Sequence, residues 1–324
     1  MMTTRKSIEF RGAYTALITP FDDDGGAVDI KRLRQAIERQ AIAGVTGIVP
    51  CGTTGETPTL SEKEYREVVS TAIEEGSARN LQVIPGAGSN STAHAVKLHT
   101  WCAAAGADAA LHVTPYYNKP SQEGLYRHFM TIADAADLPI IVYHIPGRTG
   151  VRIAMETLER LAEHPNIQSV KEATGSVDSA AETAERTGLA VLSGDDPLTL
   201  AILAMGGTGA VSVLSNIRPG AVAGMIRQML AGNTGEARRI AQATAPFARG
   251  LLSLDVNPVP ITAAMALEGL DTGAVRLPLA PASEATRRAL GALLDACDAA
   301  LGGKPKSGAG ETDQKGGGRM DVMS

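Results

Sequence analysis

Short apolar runs rich in β-branched residues recur along this chain. Between them lie longer segments whose apolar positions return every third or fourth residue. The runs predict strands at 13–20 (passing into a loop), 47–51, 82–84, 109–114, 139–143, 167–170 leading to Lys171, 189–193 and 209–213. The longer segments predict helices at 29–43, after Ser61, at 91–105 and at 121–136. In the first of these, Ile30, Leu33, Ile37 and Ile42 share a face and Gly44 marks the stop.

Strands alternating with amphipathic helices imply parallel βαβ units. Eight of them within roughly 230 residues predict an α/β fold of the (β/α)8 TIM-barrel type. An open doubly wound sheet would carry G-x-G-x-x-G after its first strand. Here Gly86-Ala87-Gly88 follows the third strand and lacks the last glycine, so it reads as a turn. Past the eighth strand, 218–232, 234–252, 258–268 and 283–299 read as helices. The first completes the barrel, and the others form an appended C-terminal helical region. The expected division is a flexible leader over 1–9, a catalytic barrel over 10–232, the helical region over 233–301 and a disordered Gly- and Lys-rich tail over 302–324.

Composition narrows the classes of function. A net charge of −5 offers no basic surface for nucleic acid or anionic membrane. No apolar run reaches membrane length, and the polar leader has no secretory h-region. Three widely spaced cysteines, Cys51, Cys102 and Cys297, suggest reduced thiols in a cytoplasmic setting. The histidines show no metal spacing, so no metal is expected.

Chemistry in such a barrel is built where its strands end. Thr53 and Thr54 follow strand two, Tyr116 and Tyr117 strand four, Tyr143 and Arg148 strand five, Lys171 strand six, and Ser193 to Asp196 strand seven. Of the nine lysines only Lys171 closes an apolar strand. Burial disfavours a charged amine, and a neutral one can attack a ketone to give an iminium, an electron sink for an enamine nucleophile. Tyr143, one strand away, suits proton transfer. Gly52-Thr53-Thr54-Gly55 suits a small carboxylate, and Arg148 can clamp a second one. Taken singly, each feature has a plainer reading. The lysine could be a surface ion-pair partner, the Gly-Thr-Thr-Gly a simple turn, and Arg148 a partner of Glu56 or Glu172. Asp195-Asp196 reads as a helix N-cap with a first-turn charge.

Five motifs stand in order: Gly52 to Glu56, Thr114 to Asn118, Tyr143 to Gly150, Lys171 to Gly175 and Leu192 to Asp196. The ensemble, from about Tyr14 to about Leu301, closely resembles the dihydrodipicolinate synthase branch of the pyruvate-dependent class I aldolase (N-acetylneuraminate lyase) family. The resemblance implies Lys171 as the Schiff-base lysine for pyruvate and Tyr143 as proton relay. Thr53 would bridge Tyr143 to Tyr117, and Tyr117 would reach a neighbouring subunit. It implies Thr53 and Thr54 on the pyruvate carboxylate, Val211 and Gly194 around it, and Arg148 on the carboxylate of L-aspartate 4-semialdehyde. Condensation and cyclisation would feed diaminopimelate and lysine synthesis, without organic cofactor, in a homotetramer of tight dimers.

Arg148 is the feature separating this branch from sister lyases and dehydratases acting on keto-deoxy sugar acids or a hydroxyproline catabolite. A non-catalytic pyruvate-binding paralogue would lack Lys171 or Tyr143. Two positions depart from the family pattern: His144 stands where asparagine is frequent, and Thr262 where lysine is frequent. At the positions matching the lysine-feedback site, Asn90 and Tyr116 are retained. His94 replaces a glutamate, and Glu62 and Tyr65 also depart, so weak or absent feedback is expected.

Overall fold

The computed structural model describes residues 8–302; the leader before residue 8 and the tail from residue 303 lie outside the described residues. Eight strands form one curled sheet: β1 (Gly12–Ala16), β2 (Gly47–Val49), β3 (Gln82–Val83), β4 (Ala110–Val113), β5 (Ile140–His144), β6 (Ile167–Glu172), β7 (Ala190–Ser193) and β8 (Gly209–Ser212). Their order is β3-β2-β1-β8-β7-β6-β5-β4, and every paired neighbour is parallel. The two end strands meet just beyond β3. Leu111 N donates to Pro85 O, and Ala87 N donates to Leu111 O, both at 2.9 Å. A Cβ on Gly86 would stand 2.1 Å from Cys51 O, so only glycine permits this approach. The segment expected to be a turn is thus the seam that joins β3 to β4.

Helices fill the crossovers: α1 (Ile30–Ile42), α2 (Glu62–Ala78), α3 (Thr92–Ala105), α4 (Gln122–Ala133), a short α5 (Pro146–Thr149), α6 (Met155–Ala162), α7 (Val177–Thr187), α8 (Thr199–Ala204) and α9 (Pro219–Leu230). Their starts follow local chemistry. Ser61 and Glu64 form a reciprocal capping box on α2, and Asp29 accepts the Arg32 amide at the head of α1. At the Asp195-Asp196 corner the expected positions hold, with Asp195 at the N-cap and Asp196 in the first turn of a short helical segment (Asp196–Leu198), but the bonding differs. Asp195 makes no side-chain cap bond, and the Asp196 carboxylate accepts the Val213 and Leu214 amides at 3.0 and 2.9 Å instead. This acid ties the end of β7 to the end of β8 rather than capping its own helix.

Strand side chains alternate between two faces. Ile141 and Tyr143 of β5 point inward with Leu111, Leu192 and Val211, while Ile140 and Val142 point outward against α4 and α6. Both faces are buried, which is why these strands read as continuous apolar runs.

Three further helices, α10 (Thr234–Ser253), α11 (Val259–Leu267) and α12 (Glu284–Ala300), share a core with the sheet-flanking helices: Phe247, Ile261 and Leu290 cluster with Ile37 and Val222. Arg218, at the start of α9, binds this layer through two carboxylates. It reaches Asp298 at 2.7 Å through Nε and Nη2, and Glu268 at 2.9 and 2.8 Å through Nη1 and Nη2. Bidentate guanidinium pairs are the directional form of an ion pair. The docking brings the link between α10 and α11 to the C-terminal ends of the strands.

Candidate active site

The pairing of β5 with β6 sets the centre of the site. Tyr143 is the register partner of Lys171, so both side chains leave the sheet on its interior face at the same height. Lys171 is buried, and its Nζ lies 4.1 Å from the centroid of the Tyr143 ring. Gly194 packs against the lysine stem from the end of β7: an added Cβ would lie 2.9 Å from Lys171 Cε and 2.8 Å from Ala173 Cβ. Val211, buried on β8, completes the apolar floor with Leu192. An amine enclosed in this way has few ordinary uses, and among the described residues it is the one buried lysine.

Beside Tyr143 opens a cavity of about 550 Å³, lined among others by Thr53, Tyr143, Arg148, Tyr116, His94 and Asn257; Lys171 is not part of its wall and adjoins it through the Tyr143 ring. Thr53 and Thr54 sit on the turn after β2. There Gly55 N donates to Gly52 O and Glu56 N to Thr53 O, and Cys51 and Glu56 adopt left-handed backbone conformations. Burial raises the Glu56 carboxyl above the usual carboxylate range, although it accepts the Arg276 amide at 2.9 Å.

Arg148 is carried by the helical turn α5 rather than by an open loop, and its Nη2 donates to Asn257 O at 3.2 Å. The alternative partners considered for it are otherwise engaged. Glu56 accepts from Arg276. Glu172 accepts the Thr174 amide at 2.7 Å and the Ser179 hydroxyl at 3.2 Å, and it faces His144 Nδ1 at 3.6 Å. Burial works against the Glu172 anion, but those donors prevail and hold its carboxyl below the usual range. Asp195 and Asp196 shift the other way, raised by burial.

Asn257 is a site residue that the sequence reading passed over. Its Nδ2 donates to Thr54 Oγ1 at 3.1 Å while its backbone oxygen receives Arg148, so one residue of the C-terminal layer touches both groups expected to bind carboxylates. No local pattern could have revealed it, because Thr54 is 203 positions away in the chain.

Other expected residues are placed less centrally. Tyr117 is 90% exposed with φ of 72° and does not line the cavity. Among the described residues no hydrogen bond joins Thr53 to Tyr143 or to Tyr117. Asn90 Nδ2 donates to Tyr116 O, bracing the segment before Tyr117, while Glu62 is turned outward into ion pairs with Arg66 and Lys97. The three cysteines are buried and free, and burial pushes the Cys51 thiol well above its ordinary value, as expected of a structural thiol. The described residues contain no cluster able to hold a metal ion and no helix long and apolar enough to cross a membrane.

Residues 9–297 match the model of the dihydrodipicolinate synthetase family. The chain belongs to this family. The matched span contains Lys171, Tyr143, the Thr53-Thr54 turn, Arg148 and Asn257. A family member from Pelobacter propionicus, a 4-hydroxy-tetrahydrodipicolinate synthase, is 46% identical over 287 residues, covering 88% of this chain and 98% of its own. The solved structure of the synthase from Methylacidiphilum fumariolicum SolV superposes with a TM-score of 0.88 at 44% identity, covering 91% of this chain and 98% of that one. A chloride-inhibited dihydrodipicolinate synthase from Acinetobacter baumannii, solved with pyruvate, gives a TM-score of 0.87 at 38% identity, over 89% of this chain and 99% of that one.

Proposed function

We propose that this chain is a 4-hydroxy-tetrahydrodipicolinate synthase, condensing pyruvate with L-aspartate 4-semialdehyde on the diaminopimelate route to lysine. The observation that carries the reading is the enclosed amine of Lys171, 4.1 Å from the ring of Tyr143, which itself lines a cavity shared with Thr53 and Arg148. We read the curled sheet as a closed (β/α)8 barrel with this cavity at its C-terminal mouth.

In this reading the Lys171 amine adds to the ketone carbon of pyruvate, and the carbinolamine loses water to give an iminium. Tyr143 supplies and removes the protons of that exchange. Loss of a C3 proton gives the enamine, whose carbon attacks the aldehyde of the second substrate. The amine of that substrate then displaces Lys171 from C2, closing the ring and freeing the enzyme. One water leaves per turnover, and neither an organic cofactor nor a metal enters. The pyruvate carboxylate meets the Thr53 and Thr54 hydroxyls, with Gly194 and Val211 shaping its pocket, and Arg148 receives the carboxylate of the aldehyde.

Assembly as a homotetramer of tight dimers suits Tyr117. An aromatic ring held in solvent on a left-handed backbone is the kind of feature a second subunit covers. In that assembly Tyr117 would enter the partner's proton relay through Thr53. The acidic, membrane-indifferent chain fits a cytoplasmic enzyme. His94, standing beside Tyr116 in the cavity wall, lacks the negative charge to hold a lysine amine, so feedback by L-lysine should be weak.

The test is borohydride reduction in the presence of pyruvate, followed by peptide mass mapping and a turnover assay with L-aspartate 4-semialdehyde. The expected result is a reduced pyruvyl adduct on Lys171 and turnover that Arg148→Ala severely weakens. An adduct elsewhere, or undiminished turnover in Arg148→Ala, overturns the reading.

A further inference from the structure

His144 and Glu172 immediately follow the reacting pair Tyr143 and Lys171, and they too are register partners. Alternation turns them to the opposite face of the sheet, where both are almost fully buried, at 2% and 1% exposure. His144 Nε2 accepts the Ile153 amide at 3.1 Å. A nitrogen that accepts carries no proton, so the ring's hydrogen is on Nδ1, which faces Glu172 Oε2 at 3.6 Å. Glu172 is fixed in turn by the Thr174 amide and, from α7, by the Ser179 hydroxyl.

Ile153 matters because of where it lies. Residues 145–153 leave β5, form the turn that carries Arg148, and come back against the outer face of the sheet at Ile153, which packs with Val142 and Val170. The start of this loop is held by β5 itself; its end is held from the sheet by the ring of His144 and from α4 by Gln122, which donates to Arg152 O and accepts the Ala154 amide, both at 2.9 Å. The ring is therefore a strut with one nitrogen on the arginine loop and the other toward the strand that carries Lys171. Nothing in the condensation requires these groups to touch a substrate, since a layer of sheet separates them from the cavity.

We infer that His144 and Glu172 are a positioning couple that fixes the Arg148 loop relative to Lys171, and so governs binding of the second, carboxylate-bearing substrate and not formation of the pyruvate adduct. This deepens the proposed function and rests on it for the identity of that substrate. The geometry sets a clear division of effects. Pyruvate is held by Lys171 and the Thr53-Thr54 turn; Lys171 shares β6 with Glu172, but its backbone is fixed by pairing with β5 and β7 whether or not the couple is intact. The aldehyde is held by Arg148, whose loop the couple anchors.

The experiment uses the full chain with His144→Leu, which fills the space without nitrogens, His144→Gln, whose amide can still accept from Ile153 and donate to Glu172, and Glu172→Gln. His144→Leu loses the bond to the Ile153 amide, and Glu172→Gln loses the negative charge facing Nδ1 across 3.6 Å; in both, KM for L-aspartate 4-semialdehyde should rise by up to about tenfold. KM for pyruvate and the yield of borohydride-trapped Lys171 should stay within about twofold of the parent, and His144→Gln should recover most of the loss. Amide hydrogen exchange over residues 145–153 should quicken in the first two variants, a readout independent of any second substrate. Should His144→Leu fail to fold, Glu172→Gln carries the same test. Equal losses for both substrates and for trapping, or unchanged exchange in the loop, overturn the inference. A parent enzyme that traps pyruvate but does not consume the aldehyde instead overturns the proposed function and leaves the exchange measurement to decide the couple.

Discussion

Gly194 closes against the stem of Lys171 so tightly that a single added carbon would stand 2.9 Å from Cε and 3.1 Å from Cγ. Its φ is not in the left-handed region, so the requirement for glycine is space alone. Gly194→Ala should therefore fold normally and displace the amine. A misplacement of about 1 Å is worth roughly 10²-fold in rate, so kcat/KM for pyruvate and the rate of borohydride trapping should both fall on that order. Trapping at the parent rate would show that the stem relaxes around the methyl group.

Tyr143→Phe keeps the ring over Lys171 and removes only the hydroxyl. Proton transfer by a positioned side chain is worth roughly 10²–10⁴-fold, and kcat should drop by such a factor. The adduct should still map to Lys171 in a prolonged reduction, because the amine remains enclosed. Steady-state assay and peptide mapping on one preparation separate the two roles.

Asn257 makes its contacts with different atoms: the side chain reaches Thr54 and the main chain reaches Arg148. Asn257→Ala should then disturb one substrate more than the other. Loss of one hydrogen bond, about 1 kcal/mol, predicts a rise of roughly fivefold in KM for pyruvate. KM for the aldehyde should change little, since the carbonyl that steadies Arg148 survives the substitution. Varying each substrate at saturation of the other gives the comparison.

Burial holds the His128 imidazole down at about 4, against an ordinary 6.5, with Thr92 Oγ1 at 2.9 Å from Nδ1. Between those values the unfolded chain binds a proton that the folded chain refuses. Its contribution to stability is complete above pH 6.5, is lost as the pH falls toward 4, and changes no further below that. The loss between about pH 7 and pH 5 should be about 2 kcal/mol. His112, fully buried and lowered by the same cause, adds in the same direction. Urea unfolding of His128→Gln should show a shallower decline over this range than the parent. Parallel curves would mean that the acid sensitivity comes from other groups.

The pattern of the chain was a close guide to the elements because helices and buried strands are short-range affairs. Helix α1 falls one residue inside its predicted limits at each end, and Ser61 caps α2 with the side-chain bonds its sequence foretold. Errors gathered where a polar residue has more than one partner to choose from. Asp195 stands at the N-cap without making a cap bond, and Asp196, in the first turn as expected, turns its carboxylate to two amides from the end of β8. Arg148 had two carboxylates in view, and both were taken by donors that no sequence distance would suggest, Arg276 for Glu56 and Ser179 with Thr174 for Glu172.

The sequence by itself determined that one amine ends an apolar strand, that hydroxyls and an arginine end neighbouring strands, and hence which chemistry is possible. These features follow from residue type and period, which need no knowledge of the fold. Only the tertiary structure decided the rest: the register that sets Tyr143 against Lys171, the glycine that bounds the stem, and the couple behind them. It also decided the arrival of Asn257 from beyond the last strand. Those relations are distances between parts of the chain far apart in number. They are fixed by how strands pair and layers pack, and no local pattern encodes a distance of that kind.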